Sequence, residues 1–510
     1  MKVAILNKAA LAAAVLCAFA SQAQAAGFQL SEQSALALGR AYAGAGLDNQ
    51  DLSGLFYNPA AMSLGHGTRV QAGAIVANLD LQYRGENGSR ENGRGKPGVV
   101  PSLYVAHEIN DKFQVGFAVT APFGLATQYA PGWDQGFKGT RSDLKVVDFN
   151  PSVTFKLNEK WSFGAGVSFQ HADAKLSYDL LGIVKNKAET IKIQDEALNR
   201  LAHSENPVYQ ALAAKGKAEM DEKLKPLAPL KALAGTDDEL AKYKAALAAN
   251  PELHVNVKDW AYGWNVGVMF KPADNIRLGL SYRSAVKHTA KGEAESAALR
   301  AIASNDEVKH LLQGLAAQNP ALAGYAGGIM AGSIPASISM SAPAWAMFSG
   351  SWDINPTFTV NGMVRWTHWS LFKKLALKSP VLSGLGIGEF ANKTEWKDTW
   401  FGSVGLDARV HPMVTLHTGI GYETSVIKYP EYRTGVIPDA NRLWLSAGAT
   451  FKPIKNLTAD FGISYLKGIG ERDLYKETAN PKTAQPTFEK VGTFKKLNAI
   501  LVGAQVQYQF

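Results

Sequence analysis

Ile500-Leu501-Val502-Gly503-Ala504-Gln505-Val506-Gln507-Tyr508-Gln509-Phe510 closes the chain. Ile500, Val502, Ala504, Val506, Tyr508 and Phe510 fall on one face of an extended segment, and Gln505, Gln507 and Gln509 on the other. A period of two marks a strand. The pattern recurs upstream. Over 336–352, Ala336, Ile338, Met340, Ala342, Ala344, Ala346, Phe348 and Trp352 share a face opposite Ser337, Ser339, Ser341, Ser349 and Ser351. Trp400, Val404, Leu406, Ala408 and Val410 oppose Ser403, Asp407 and Arg409, and Leu457, Ala459, Phe461, Ile463 and Tyr465 oppose Asp460 and Ser464. So many strands with an apolar face and a polar or small-residue face read as lipid outside and a polar lumen inside.

The connections alternate in length. Short turns recur at Asn110-Asp111, Asn158-Glu159, Pro272-Ala273-Asp274-Asn275, Asn355-Pro356, His411-Pro412 and Pro453-Ile454-Lys455-Asn456. Longer connections lie near 84–98, 123–141, 182–254, 291–334, 370–393, 424–440 and 467–495. Short turns on one side and long loops on the other describe an outer-membrane barrel, and the hairpins predict about fourteen strands, all-β and antiparallel. Trp260, Tyr262, Trp264, Trp366, Trp369, Trp396 and Trp400 sit at strand ends, where interfacial aromatic girdles are expected. Residues 185–250 and 294–330 are rich in Ala, Lys, Glu and Leu, which favours helix, so the outer loops at 182–254 and 291–334 are expected to carry helical caps.

Two segments precede the strands. Lys2 and Lys8 flank an apolar run, Ala9 to Ala20, followed by Ala23-Gln24-Ala25, the pattern of a secretory signal peptide over 1–25. The only cysteine, Cys17, falls within it, so the mature chain is expected to hold no disulfide. The stretch 26–67 has neither strand alternation nor an uninterrupted helical run, and small residues dominate it. It reads as a compact plug, or hatch, inside the barrel formed by 68–510. A formal net charge of +9 is mild for 510 residues, and no compact basic patch with interleaved aromatics suggests nucleic-acid binding.

The plug carries a resemblance. Its start Ala26-Gly27-Phe28-Gln29-Leu30, its Gly39-Arg40-Ala41-Tyr42 followed by Gly44, and its Asn58-Pro59-Ala60 resemble the FadL-type family of outer-membrane long-chain fatty-acid and hydrophobic-compound transporters. The resemblance implies a fourteen-stranded barrel in the Gram-negative outer membrane, gated by hatch residues Phe28, Gly39, Arg40, Asn58, Pro59 and Ala60. It also implies an apolar groove between the two large loops. Ala121-Pro122-Phe123-Gly124 resembles the family's kinked third strand, where an inward bend opens the wall sideways. Proline donates no ladder hydrogen bond and glycine permits the bend.

No Gly-x-Ser-x-Gly elbow, His-Glu-x-x-His or cysteine pair is present, so no enzyme, metal or cofactor is expected. A hydrolase built on a lumen serine with His417 and Asp460 has no support in spacing. By alternation Arg277, Arg283, Arg365, Asp407, Arg409 and Asp460 point into the lumen, with Lys175 a further candidate near a large loop. Lys175, Arg277, Arg283, Arg365 and Arg409 are thus candidates to meet a fatty-acid carboxylate, since an unpaired charge is costly to bury. Asp173 beside Lys175 leaves a neutral hydrocarbon as an alternative substrate. The expected partners are a hydrophobic solute, membrane lipid and the barrel-assembly machinery reading the strand that ends at Phe510, with a monomeric state. A general aqueous porin and a non-transporting surface adhesin or structural barrel are the rival readings.

Overall fold

The computed structural model describes residues 27–48, 50–93, 97–130, 132–224, 252–296, 332–380 and 389–510, with single positions between 300 and 317. The expected signal peptide and most of the loop after residue 296 lie outside the described residues. Fourteen antiparallel strands close into a barrel. They begin with β1 (Thr68–Gly85), β2 (Gly98–Asn110), β3 (Phe113–Gln128), β4 (Arg141–Lys156), β5 (Trp161–Asp179) and β6 (Glu252–Ala273). β7 is Ile276–Arg283 continued by Val286–Ser296, and β8 is Ser333–Ala342 continued by Trp345–Asp353. β9 (Phe358–Thr367), β10 (Thr399–His411), β11 (Val414–Glu423), β12 (Asn441–Ile454), β13 (Leu457–Ile469) and β14 (Pro486–Gln509) complete the circuit. β14 pairs with β1 from Arg69↔Gln509 up to Gly85↔Gly492. Closure leaves no sheet edge in hydrocarbon, where unpaired backbone groups have no water to meet.

Alternation sorts the two faces. Ile500, Val502 and Val506 are about half exposed on the outer wall, while Gln505 and Gln507 are buried inside. Trp260, Tyr262, Trp264 and Trp400 project outward toward the loop side, and Trp161, Phe163, Trp352 and Phe358 do so near the short turns. Two of the expected girdle residues are elsewhere. Trp369 and Trp396 are 0% and 2% exposed and pack inside the barrel against Phe28, because both lie in loop segments that fold inward.

The reading of 336–352 as one uninterrupted alternation needs correction. β8 breaks at Pro343-Ala344, and β7 breaks at Ser284-Ala285. Each break shifts the parity. Below it, Phe348 and Trp352 face lipid while Ser349 and Ser351 are buried inside. Above it, Ile334, Ala336, Ile338 and Ala342 are buried inside and the serines of 337–341 turn outward. The upper wall of β6–β8 therefore has a polar outer face and an apolar inner one, the reverse of the membrane belt.

Residues 27–67 fill the lumen. They form α1 (Ala35–Leu38), α2 (Gly54–Tyr57) and a 3-10 helix over Pro59–Leu64. Wall glycines let this hatch approach the strands closely. A Cβ on Gly448 would stand 2.8 Å from the Gly39 Cα, on Gly419 2.3 Å from Arg40 backbone, and on Gly164 2.3 Å from the Ala60 nitrogen. Glycine inside a strand commonly marks such a close backbone approach. Above the barrel, α3 (Leu180–Ala202) starts on the Asp179 cap and α4 (Pro207–Leu224) folds back onto it. α3 packs over the strand Asp473–Ala479, with Arg200 donating to the Pro481 carbonyl at 2.8 Å. The expected groove between the two large loops depends on the 291–334 loop. Its residues 291–296 and 333–334 continue β7 and β8, and most of the remainder lies outside the described residues.

Candidate functional site

The kink in β3 is where hatch and wall meet. β2 and β3 pair only between Leu103↔Val119 and Asn110↔Phe113. Beyond Val119 the strands part, and the β3–β4 register shifts between Thr120 and Phe123. Pro122 stands within that shift and donates no ladder hydrogen bond. The start of the hatch takes the vacated place. Leu30 donates its amide to the Pro122 carbonyl at 2.8 Å, Gly124 donates to the Phe28 carbonyl at 2.9 Å, and Gln29 bridges Phe123. A Cβ on Gly124 would stand 2.9 Å from the Leu30 Cδ1.

Phe28 anchors this segment in an aromatic cage. Its ring lies 4.7 Å from Trp369, 5.5 Å from Phe372, 5.9 Å from Trp396 and 6.0 Å from Phe123. The cage belongs to a larger apolar cluster with the inner faces of β4–β8 (Val146, Leu176, Val257, Ile338), Leu497 of β14 and loop residues Val426 and Ile437. The parity breaks in β7 and β8 supply part of that lining, and sequence alternation alone missed them.

Asn58-Pro59-Ala60 seats the other end of the hatch. The Asn58 side chain accepts from the Ala60 amide at 3.1 Å, capping the 3-10 helix, and donates to the Val268 carbonyl at 3.0 Å. It sits over Gly267 and Gly279, where a Cβ would stand 1.9 Å from its Oδ1 and 2.9 Å from its Nδ2. Thr154 donates its hydroxyl to the Pro59 carbonyl, and Ala60 is fully buried. Gly39 caps α1 against Gly448.

Arg40 joins hatch to wall through a buried polar chain. Its guanidinium donates to Asp407 at 2.8 Å and also to Asp48. Asp407 meets His417 at 2.7 Å and accepts from Asn361 at 2.8 Å. His417 meets Thr450 at 2.8 Å, Thr450 donates to Asp460, and Gln505 donates to Asp460 at 2.9 Å. His417 and Asp460 thus meet through Thr450. The trio ties β10, β11, β12 and β13 together across the lumen wall. The chain borders a polar cavity of about 600 Å³ on the short-turn side, lined also by Arg277, Asp353, Arg409 and Lys452.

The candidate cations separate. Arg283 is buried and donates to Asp148 at 2.8 Å, to Ser168 at 3.1 Å and to the Phe56 carbonyl at 3.3 Å. Arg365 is buried 3.6 Å from Glu423 and lies over the Phe401 ring at 5.5 Å. Arg277 and Arg409 both face Asp353, at 3.3 and 3.6 Å, beside the lower cavity. Lys175 is on the outer wall of β5 and exposed, a correction to its lumen placement; it shares a parity with His171 and Asp173, and Leu176 takes the inner face. Sequence reasoning missed Glu32. Its side chain is wholly buried in the hatch, and neither carboxylate oxygen has a hydrogen-bond partner among the described residues. Loss of solvent pushes its carboxyl up to about 7, reinforced by Glu423 and opposed by Arg365 and Arg442.

Residues 16–510 match the family model described as Outer membrane protein transport protein (OMPP1/FadL/TodX). The chain is 28% identical over 512 residues to a long-chain fatty acid transport protein of Escherichia coli O6:H1, covering 99% of each chain. It is 26% identical to outer membrane protein P1 of Haemophilus influenzae, again over 99% of each. In fold it resembles a FadL homologue of Pseudomonas aeruginosa (TM-score 0.67, 21% identity, 95% and 100% of the two chains). It also resembles the P. putida toluene transporter TodX (TM-score 0.59, 15% identity, 94% and 99%).

Proposed function

Because the chain belongs to the outer membrane protein transport family (OMPP1/FadL/TodX) and resides in the Gram-negative outer membrane, we propose that it is a passive uptake channel for hydrophobic molecules, above all long-chain fatty acids. One observation carries the reading. A packed apolar cluster around Phe28 ends at a gap between β2 and β3, and the hatch segment Phe28–Leu30 fills that gap. A solute that displaces Phe28 from its cage also loosens the segment bonded to Pro122 and Gly124, so entering the cluster and opening the wall are one event. Sideways release suits the cargo, because an apolar molecule gains nothing by crossing water before it reaches lipid. Asn58 and Arg40 hold the rest of the hatch in place while its N-terminal end moves.

The fatty-acid assignment leans on the relatives named for that activity. A hydrocarbon cargo is the second reading, and a specific observation favours it: Arg277, Arg283, Arg365 and Arg409 each face a carboxylate, and Lys175 is outside the lumen. Uptake of labelled oleate and labelled toluene by cells lacking their own channel separates the two. The protein is tested as wild type, Asn58→Ala and the double variant Pro122→Ala/Gly124→Ala. Oleate uptake lost in the double variant supports lateral fatty-acid release, and toluene uptake alone moves the assignment to hydrocarbons. Unimpaired uptake by the double variant removes the lateral route, and uptake of neither solute by an inserted wild-type barrel removes the transport reading.

A further inference from the structure

The outer wall of β4–β8 carries a row of lysines that the lumen does not use. Strand pairing sets one level across the wall: Gly124↔Lys145, Lys145↔Asp173, Asp173↔Lys258, Lys258↔Lys291 and Lys291↔Ser337. The row thus begins beside the kink in β3 and crosses the five strands β4–β8. Lys175 stands one outward position above it on β5, and Lys287 lies below Lys291 on β7. Lys258 is 66% exposed and meets Asp173 at 3.4 Å. Lys145, Lys175, Lys287 and Lys291 have no carboxylate within 4 Å among the described residues.

The height of the row matters as much as its charge. Immediately below it, His171 and Trp260 are paired across β5 and β6, with rings 4.8 Å apart, and Phe149 stacks on Trp260. Tyr262 and Trp264 follow outward, 67% and 49% exposed. Aromatic rings of this kind mark the level of lipid headgroups. Lys145, Lys258 and Lys291 stand on the loop side of that level, where the outer leaflet's headgroups lie, and Lys287, two outward positions below Lys291, is level with Tyr262. Lys287 and Lys291 also occupy the part of β7 where the parity break turns polar residues outward. A cation that served only to solvate the rim would need no register with the girdle.

We propose that this face of β4–β8 docks a phosphorylated glycolipid of the outer leaflet, with Lys145, Lys258, Lys287 and Lys291 meeting its phosphates and the Trp260–Tyr262 shelf meeting its sugar and upper acyl carbons. Ammonium groups suit this role as mobile point charges that pair with phosphate. The docked lipid lies next to Gly124, at the mouth of the wall gap, and orders the bilayer there. The proposal does not depend on what passes through the lumen.

The test uses the full-length barrel in nanodiscs of phosphatidylcholine, titrated with lipid A carrying both phosphates and with the same lipid A after phosphatase treatment. Native mass spectrometry reads the bound lipid. The variant is Lys145→Gln/Lys258→Gln/Lys287→Gln/Lys291→Gln, with Lys467→Gln/Lys496→Gln on the far wall as the matched control. Heat-modifiable migration confirms that each barrel is folded. Bisphosphorylated lipid A should bind the wild type and the control at least about tenfold more tightly than it binds the quadruple variant. Dephosphorylated lipid A should bind all three alike, and inorganic phosphate at millimolar concentration should not compete. Equal binding by the quadruple variant, equal binding of dephosphorylated lipid, or displacement by free phosphate would overturn the proposal.

Discussion

Leu30 donates its amide to the carbonyl of Pro122 at 2.8 Å, so the start of the hatch serves as the missing neighbour of a wall strand. Leu30→Pro removes that donor while leaving β3 untouched. The expected result is a folded barrel with a loosened hatch end, seen as a severalfold rise in the entry of bulky hydrophobic dyes into cells. Unchanged dye entry with normal barrel migration would mean that this bond does not hold the gap.

How much of this was legible beforehand follows from which physics each residue obeys. Barrel, strand number and turn side were readable because lipid forces alternation on nearly every strand, as at 457–465 and 500–510. The Pro122 kink was readable because Pro122 and Gly124 stand together in a segment that resembles the family's kinked third strand. The inward Trp369 and Trp396 were not, because a tryptophan in a loop has no alternation to fix its face. The reversal at 336–342 was hidden because two residues, Pro343-Ala344, shift the parity without changing composition. The wall glycines looked like generic small residues until the hatch backbone was seen against them. Lys175 was misplaced because the outer wall above the membrane belt tolerates charge and gives no hydrophobic contrast. Glu32 went unnoticed because nothing local distinguishes a buried glutamate in a plug from a solvated one in a loop.

Phe28 is 1% exposed among four aromatic rings. Phe28→Ala should lower stability by about 3–5 kcal/mol if the cage stays open. Because the side chain sits where cargo is proposed to enter, uptake should change along with stability. Phe28→Leu refills most of the volume and should restore thermal stability more fully than uptake. Equal recovery of both would reduce Phe28 to packing.

Asn58 and Gly267 form a seat in which side chain and absent side chain are matched, with a Cβ on Gly267 falling 1.9 Å from Asn58 Oδ1 and 3.1 Å from Pro59. Asn58→Ala loses the cap of the 3-10 helix and the bond to Val268, about 1–2 kcal/mol. Gly267→Ala should cost more, since the hatch must lift to admit the methyl. In the double variant part of the clash disappears, so the two effects should fall short of their sum by about 0.5–3 kcal/mol in detergent unfolding. Strict additivity would show that the seat accommodates the methyl by another route.

Arg40 balances Asp407 and Asp48 where all three are shielded from solvent to different degrees. Arg40→Ala strands the carboxylates and should cost about 3–5 kcal/mol, moderated because Asp407 keeps His417 and Asn361. Single-channel recordings should then show openings absent from the wild type. Adding Asp407→Asn should recover part of the lost stability, because the buried charge goes with its partner. No recovery would place the cost in lost packing of the arginine stem.

Glu32 makes hatch seating depend on pH, with a definite sign. Burial raises its carboxyl from the ordinary 4.5 to about 7, with Glu423 reinforcing and Arg365 and Arg442 opposing. Below pH 4.5 the carboxyl is protonated whether the hatch is seated or displaced, and seating bears no penalty. Between pH 4.5 and about 7 the displaced hatch ionises while the seated one keeps its proton, so seating weakens as pH rises. Above about 7 the penalty is complete and levels off. Hatch openings in planar bilayers should therefore be rarer at pH 5 than at pH 8. Glu32→Gln, neutral throughout, should remove the part of that slope lying between pH 4.5 and 7. If the variant keeps the wild-type slope, Glu32 does not set the pH dependence of hatch seating.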